Sequence, residues 1–68
     1  MSSICFIGGG NMATSLIGGL IAQGHAPNSI VVSDPNESQR DQLTKQYGIK
    51  TFADCGPALV NADIVLLA

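Results

Sequence analysis

Apolar positions along this chain follow two rhythms. Short unbroken runs, Ile4-Cys5-Phe6-Ile7, Ile30-Val31-Val32 and Ile64-Val65-Leu66-Leu67-Ala68, read as buried strands, and Ile49 to Phe52 reads as a shorter one. Between the first two runs the apolar residues recur at helical spacing. Met12, Leu16, Ile17, Leu20 and Ile21 fall on one face of a helix from about Asn11 to Gln23, with Gly24 placed as a left-handed C-cap. A second helix is expected from about Glu37 to Tyr47, with Asp34 or Asn36 as its cap and Gly48 at its end. Its apolar face is thin, mainly Leu43 and Tyr47, as on a half-exposed outer helix. Pro57 suits the first position of a short helix reaching about Asn61.

The resulting order, β-α-β-α-β-α-β, predicts a parallel sheet with right-handed crossovers. The expected strand order is 3-2-1-4, the N-terminal half of a Rossmann-type, doubly wound α/β fold. In that arrangement both longer helices cover one face of the sheet, leaving only the Pro57–Asn61 helix for the other. The fourth strand is then an apolar, unpaired edge, which is an aggregation liability. Residues 1–68 are accordingly expected to be an incomplete domain, part of a longer chain and poorly soluble or molten on their own. Gly18 and Gly19 stand mid-helix, where each costs about 0.8–1 kcal/mol relative to alanine, so close packing is expected there.

Chemistry concentrates where the first strand meets the first helix. The spacing is Gly8-x-Gly10-x-x-Ala13, in the strand–turn–helix context that a dinucleotide-binding fingerprint requires. Gly8 allows a sharp turn out of the strand, Gly10 lets a pyrophosphate approach the main chain, and Ala13 lets the helix pack closely. Asn11 and Met12 open the helix, so their N–H groups are the natural phosphate donors. A tight turn without a ligand is the plainer reading of the same motif.

A second contact is expected at the end of the second strand. An acidic residue roughly 20 positions past the glycines often meets the adenosine ribose and favours NAD, and Asp34 stands close to that place. The alternative role for Asp34 is a helix cap, and the two are compatible. Ser33, Asn36 and Ser38 are small donors within reach of a 2′-phosphate, with Arg40 one helical turn on, so NAD and NADP both stay open.

Composition narrows the function classes. The chain has 68 residues, 46% hydrophobic and 12% charged, with a formal net charge of −2. Its three cations, Arg40, Lys45 and Lys50, are scattered, which argues against a nucleic-acid footprint. The lead lacks the cations of a signal peptide, and the apolar stretch from Met12 to Ala22 is too short and too interrupted to span a bilayer. Cys5 and Cys55 match neither a metal site nor a disulfide framework and are expected to be reduced thiols in a cytoplasmic protein. His25 is expected to be a solvated loop residue far from the glycine turn.

With the glycine turn, Ser33-Asp34-Pro35 and Ala62-Asp63-Ile64-Val65-Leu66-Leu67-Ala68 in view, the chain resembles pyrroline-5-carboxylate reductase across essentially its whole length. Ile7-Gly8-Gly9-Gly10-Asn11-Met12-Ala13 is similar to that family's N-terminal signature, as is the helix through Ser15-Leu16-Ile17-Gly18-Gly19-Leu20. The resemblance implies that Ile7, Gly8, Gly9, Gly10, Asn11 and Met12 wrap the pyrophosphate of NADP(H) or NAD(H), and that Asp34 and Asn36 lie by the adenosine ribose. It implies that Ala68 opens a segment lining the nicotinamide ribose. Cys55 stands near a position where members often place an asparagine. The implied reaction reduces the C=N bond of 1-pyrroline-5-carboxylate to give L-proline. No catalytic residue is expected in this segment, because the family's substrate site and homo-oligomer contacts belong to a C-terminal helical domain absent from this chain. Two other functions share the glycine turn: an NAD(H)-sensing regulatory domain without turnover, and a dehydrogenase of the same half-fold acting on a hydroxy acid. The residues following Ala68 would separate them.

Overall fold

The computed structural model describes residues 2–67. It contains β1 (Ile4–Ile7), α1 (Asn11–Ala22), a 3₁₀ turn (Pro27–Ser29), β2 (Ile30–Ser33), α2 (Glu37–Tyr47), β3 (Lys50–Phe52), α3 (Cys55–Leu59) and β4 (Ile64–Leu67). The four strands form one parallel sheet in the expected order β3-β2-β1-β4. Ile4 lies level with Ile30 on one side and with Ile64 on the other. Asp63 helps fix the start of β4: its carboxylate accepts from the Ser3 N–H at 2.9 Å, and its own N–H donates to the Ser3 carbonyl at 2.8 Å.

Alternation along the strands divides the core. Ile4 and Phe6 of β1 and Ile30 and Val32 of β2 point to the face covered by α1 and α2, where they pack with Ala13, Ile17, Leu43 and Ile49. The intervening Cys5, fully buried, faces the opposite side of the sheet, where α3 packs on β1, β2 and β3 and buries Ala58. Burial pushes the Cys5 thiol above its ordinary pKa, and the neighbouring Cys55 adds to the shift. Both cysteines are free, as expected, with Cys55 exposed.

The helix ends follow local chemistry. α1 closes in a Schellman motif, with the His25 N–H on the Leu20 carbonyl and the Gly24 N–H on the Ile21 carbonyl, both at 3.0 Å. Of the two candidate caps for α2, Asn36 takes the role: its side chain accepts from the Gln39 N–H at 3.2 Å. Gly48 ends α2 in the left-handed region. α3 starts at Cys55, two residues earlier than expected, so Pro57 is its third residue rather than its first. A proline is tolerated there because the first N–H groups of a helix have no internal acceptor.

Burial corrects further expectations. The buried face of α1 is Ala13, Ile17, Leu20 and Ile21, whereas Met12 and Leu16 are 68% and 47% exposed. Adjacent helical residues point about 100° apart, and the small Ala13 rather than Met12 is turned to the sheet. The strand β4 is not buried, for its four residues are all exposed and Leu67 is 83% exposed. Among the described residues it pairs with β1 alone, and the helices pack mainly over the other three strands. Lastly, His25 is half-buried, and its Nε2 is a buried atom without a hydrogen-bond partner.

The adjacent helical glycines differ. A Cβ on Gly18 would lie 2.8 Å from the Tyr47 hydroxyl, so α1 and α2 approach closely at that point. A Cβ on Gly19 would meet nothing within 4 Å. Gly19→Ala should therefore stabilise the protein by about 0.8–1 kcal/mol, the helix-propensity difference, read as a raised urea midpoint. Gly18→Ala should lose that gain against Tyr47. No helix among the described residues is long and apolar enough to cross a membrane.

Candidate functional site

Strand order alone marks one end of this sheet. The chain runs outward from β1 through β2 to β3 and then returns to place β4 on the other side of β1. A sheet of this kind receives ligands beyond the carboxyl ends of its strands, at the point where the order reverses. The turn leaving β1 there is Gly8-Gly9-Gly10.

Each glycine occupies a different environment. Gly8 has φ +105, a conformation that disfavours side chains, and its N–H donates to the Ser33 carbonyl of β2 at 2.8 Å. Gly9 is buried, and a Cβ there would lie 3.1 Å from Leu43 Cδ1 and 3.3 Å from both Val32 Cγ1 and Asp34 Oδ2. Gly10 is exposed and extended, and a Cβ there would meet nothing within 4 Å. The turn is thus tied down on its inner side and open on its outer side.

The start of α1 has the electrostatics of an anion site. Gly10, in the cap position, provides no side-chain acceptor, and the first turn carries no acidic residue. By contrast, α2 has both the Asn36 cap and Glu37. The first N–H groups of α1 have no acceptor within the helix, and the helix dipole places partial positive charge on them. Asn11 and Met12, which carry two of those groups, are exposed. Open space beside Gly10 and an uncapped helix start fit the pyrophosphate of a dinucleotide.

Asp34 joins this turn from the end of the neighbouring strand β2. Its Oδ2 accepts from the Gly9 N–H at 2.6 Å and its Oδ1 from the Asn36 N–H at 2.7 Å. Its own N–H donates to the Phe52 carbonyl of β3 at 2.9 Å, and its carbonyl accepts from Arg40 Nη1 at 2.8 Å. The bond to Asn36 is an Asx-turn leading into α2. Asp34 therefore does not cap α2 itself. Arg40 is half-buried and anchored to the Asp34 carbonyl. Ser33 is buried, which removes its side chain from the surface where a 2′-phosphate would arrive, while Ser38 is exposed.

The fold thus brings together Ile7, Gly8, Gly9, Gly10, Asn11 and Met12, with Asp34 bonded to Gly9 and Asn36 bonded to Asp34. Ala68 lies outside the described residues. The residue pair that the sequence reading missed is Gly9–Asp34. The fingerprint asks nothing of its second position, so the extra glycine between Gly8 and Gly10 was the available signal. Two concavities lie away from the turn. One of about 210 Å³ is lined by Leu20, Gln23, Gly24 and His25 at the C-terminal end of α1, and one of about 220 Å³ lies beside α3 around Val31, Phe52, Pro57 and Ala58. Among the described residues no cluster of His, Cys, Asp or Glu could hold a metal ion.

Comparison with known proteins places this geometry. Residues 3–68 match the family described as "NADP oxidoreductase coenzyme F420-dependent". The chain is 46% identical to a pyrroline-5-carboxylate reductase of Pasteurella multocida, over 97% of this chain and 25% of that protein. It is 45% identical to a pyrroline-5-carboxylate reductase of Pseudomonas aeruginosa, over 96% of this chain and 24% of the relative. The solved structure of a pyrroline-5-carboxylate reductase from Coxiella burnetii superposes with a TM-score of 0.94 at 43% identity, covering 98% of this chain and 25% of that one. The chain spans about a quarter of the length of the curated relatives it matches.

Proposed function

The chain belongs to the NADP oxidoreductase, coenzyme F420-dependent family and is homologous to the N-terminal segment of pyrroline-5-carboxylate reductases, and from this premise we propose that it forms the cofactor half of a cytoplasmic enzyme reducing 1-pyrroline-5-carboxylate to L-proline. The observation that carries the proposal is the open, uncapped turn at Gly10 on a fold that superposes on the Coxiella burnetii reductase.

In this reading the Asn11 and Met12 N–H groups donate to the pyrophosphate of NADP(H) or NAD(H), and Gly10 leaves room for it. Ile7, Gly8 and Gly9 complete the wall of the turn, with Asp34 and Asn36 beside the adenosine ribose. When bound, the nicotinamide supplies the hydride that reduces the imine carbon. The protein's contribution from these residues is binding and orientation: a fixed turn, an oriented set of N–H groups and a helix dipole. Catalytic and substrate-carboxylate contacts, together with homo-oligomer formation, fall to a C-terminal helical domain of the longer protein.

The test is oxidation of NADPH, and then of NADH, by the full-length protein with and without 1-pyrroline-5-carboxylate. Imine-dependent oxidation is expected, and the ratio of the two rates gives the cofactor preference. Cofactor binding with no imine-dependent turnover would overturn the assignment.

A further inference from the structure

We infer that Asp34 is a positioning residue of the cofactor turn, whose carboxylate holds Gly9 in place, and not the reader of the ribose 2′-hydroxyl; the inference rests on the cofactor site proposed above. An acidic side chain at the end of the second strand is ordinarily taken as a sign of NAD selectivity. Here that side chain is already engaged. Both carboxylate oxygens accept main-chain N–H groups, from Gly9 at 2.6 Å and Asn36 at 2.7 Å. The residue's own N–H and carbonyl are bonded to Phe52 and Arg40. Every polar group of Asp34 thus has a partner within the fold, and those partners come from β3, α2, the loop before α2 and the glycine turn.

The bond to Gly9 bears directly on the cofactor. Gly9 is buried, so without Asp34 its N–H would be left without an acceptor away from water. The turn would then reorganise to find one. Its next residue is Gly10, whose conformation sets the open side and the first N–H groups of α1. Gly9 is also shaped for this contact, since a Cβ there would stand 3.3 Å from Asp34 Oδ2. Arg40 secures the other end, holding the Asp34 carbonyl so that the carboxylate projects toward the turn. Loss of Asp34 therefore disturbs the place where the pyrophosphate binds. The pyrophosphate is common to NADH, NADPH and any analogue altered at the 2′ position.

That common feature separates the two roles. Dissociation constants for NADPH, NADH and the 2′-deoxyadenosine analogue of NADH would be measured on the full-length protein, on Asp34→Asn and on Asp34→Ala. Urea curves for each would fix conditions in which the variant is folded. The expected result for Asp34→Ala is a parallel loss of about tenfold or more for all three cofactors, the scale of a hydrogen bond to a charged group. Asp34→Asn keeps one acceptor oxygen and should recover part of that loss, again equally for all three. A purely structural role would leave the constants of the folded variant unmoved, and that result overturns the inference. So does a loss for NADH that vanishes for the 2′-deoxy analogue while NADPH binding improves, because the carboxylate would then be reading the ribose. Should Asp34→Ala fail to fold, the same comparison on Asp34→Asn decides. Failure of the unsubstituted protein to bind any of the three removes the cofactor site itself, and is recognised from that arm alone.

Discussion

Gly10→Ala should leave the protein as stable as before and weaken NADPH and NADH binding by about a hundredfold, on the order of 2.7 kcal/mol. The stability half follows from the backbone and its surroundings. Gly10 has φ −77 and ψ −164, extended values open to alanine, and the new methyl group would meet nothing within 4 Å. Alanine is the poorer N-cap, but it also lowers the entropy of the unfolded chain by about 0.4–1 kcal/mol, so the two effects offset each other. The binding half follows from the cofactor site proposed above. A pyrophosphate drawn against the first N–H groups of α1 must pass the methyl group, and those donors cannot move to meet it without unwinding the helix. Paired urea curves and cofactor titrations check both halves. Unchanged affinity would mean that the turn is only a turn.

The neighbouring position should behave in the opposite way. Gly9→Val is expected to destabilise the protein by about 1–3 kcal/mol through overpacking alone. Its Cβ would already stand 3.1 Å from Leu43 Cδ1 and 3.3 Å from Val32 Cγ1, before either γ-methyl is placed. The third close atom is Asp34 Oδ2, so the same substitution also presses on the bond between Asp34 and the turn. Cofactor affinity should fall along with stability, unlike the clean separation expected at Gly10. A fall in the urea midpoint is the readout, and a midpoint equal to that of the unsubstituted protein would show that Gly9 is not packed as described.

Much of this architecture was legible in the sequence because it depends on local pattern. The β-branched run Ile30-Val31-Val32 and the glycines at 24 and 48 mark a strand and two helix ends by backbone chemistry alone. The strand order followed from the alternation of elements and the handedness of their crossovers. Details set by tertiary contact were not legible. Met12 and Ala13 both lie at helical spacing from later apolar residues, and only packing decides which one faces the sheet. The apolar content of Ile64–Leu67 identifies a strand but says nothing of whether anything covers it. Asp34 shows the limit most clearly. Its position marks it for the cofactor site, yet its hydrogen bond to Gly9 bridges two separate loops and has no signature in either. Gly18 was readable as a point of close approach, while Gly19 beside it has no such neighbour.

A crystal structure of the full-length protein grown with NADPH would test the cofactor site most directly. The pyrophosphate should lie against the open side of Gly10, within hydrogen-bonding distance of the Asn11 or Met12 N–H, with the Asp34 carboxylate still on the Gly9 N–H. A pyrophosphate bound elsewhere on the protein, with the Gly8–Met12 turn left empty at saturating cofactor, would contradict the assignment of this turn as the dinucleotide site.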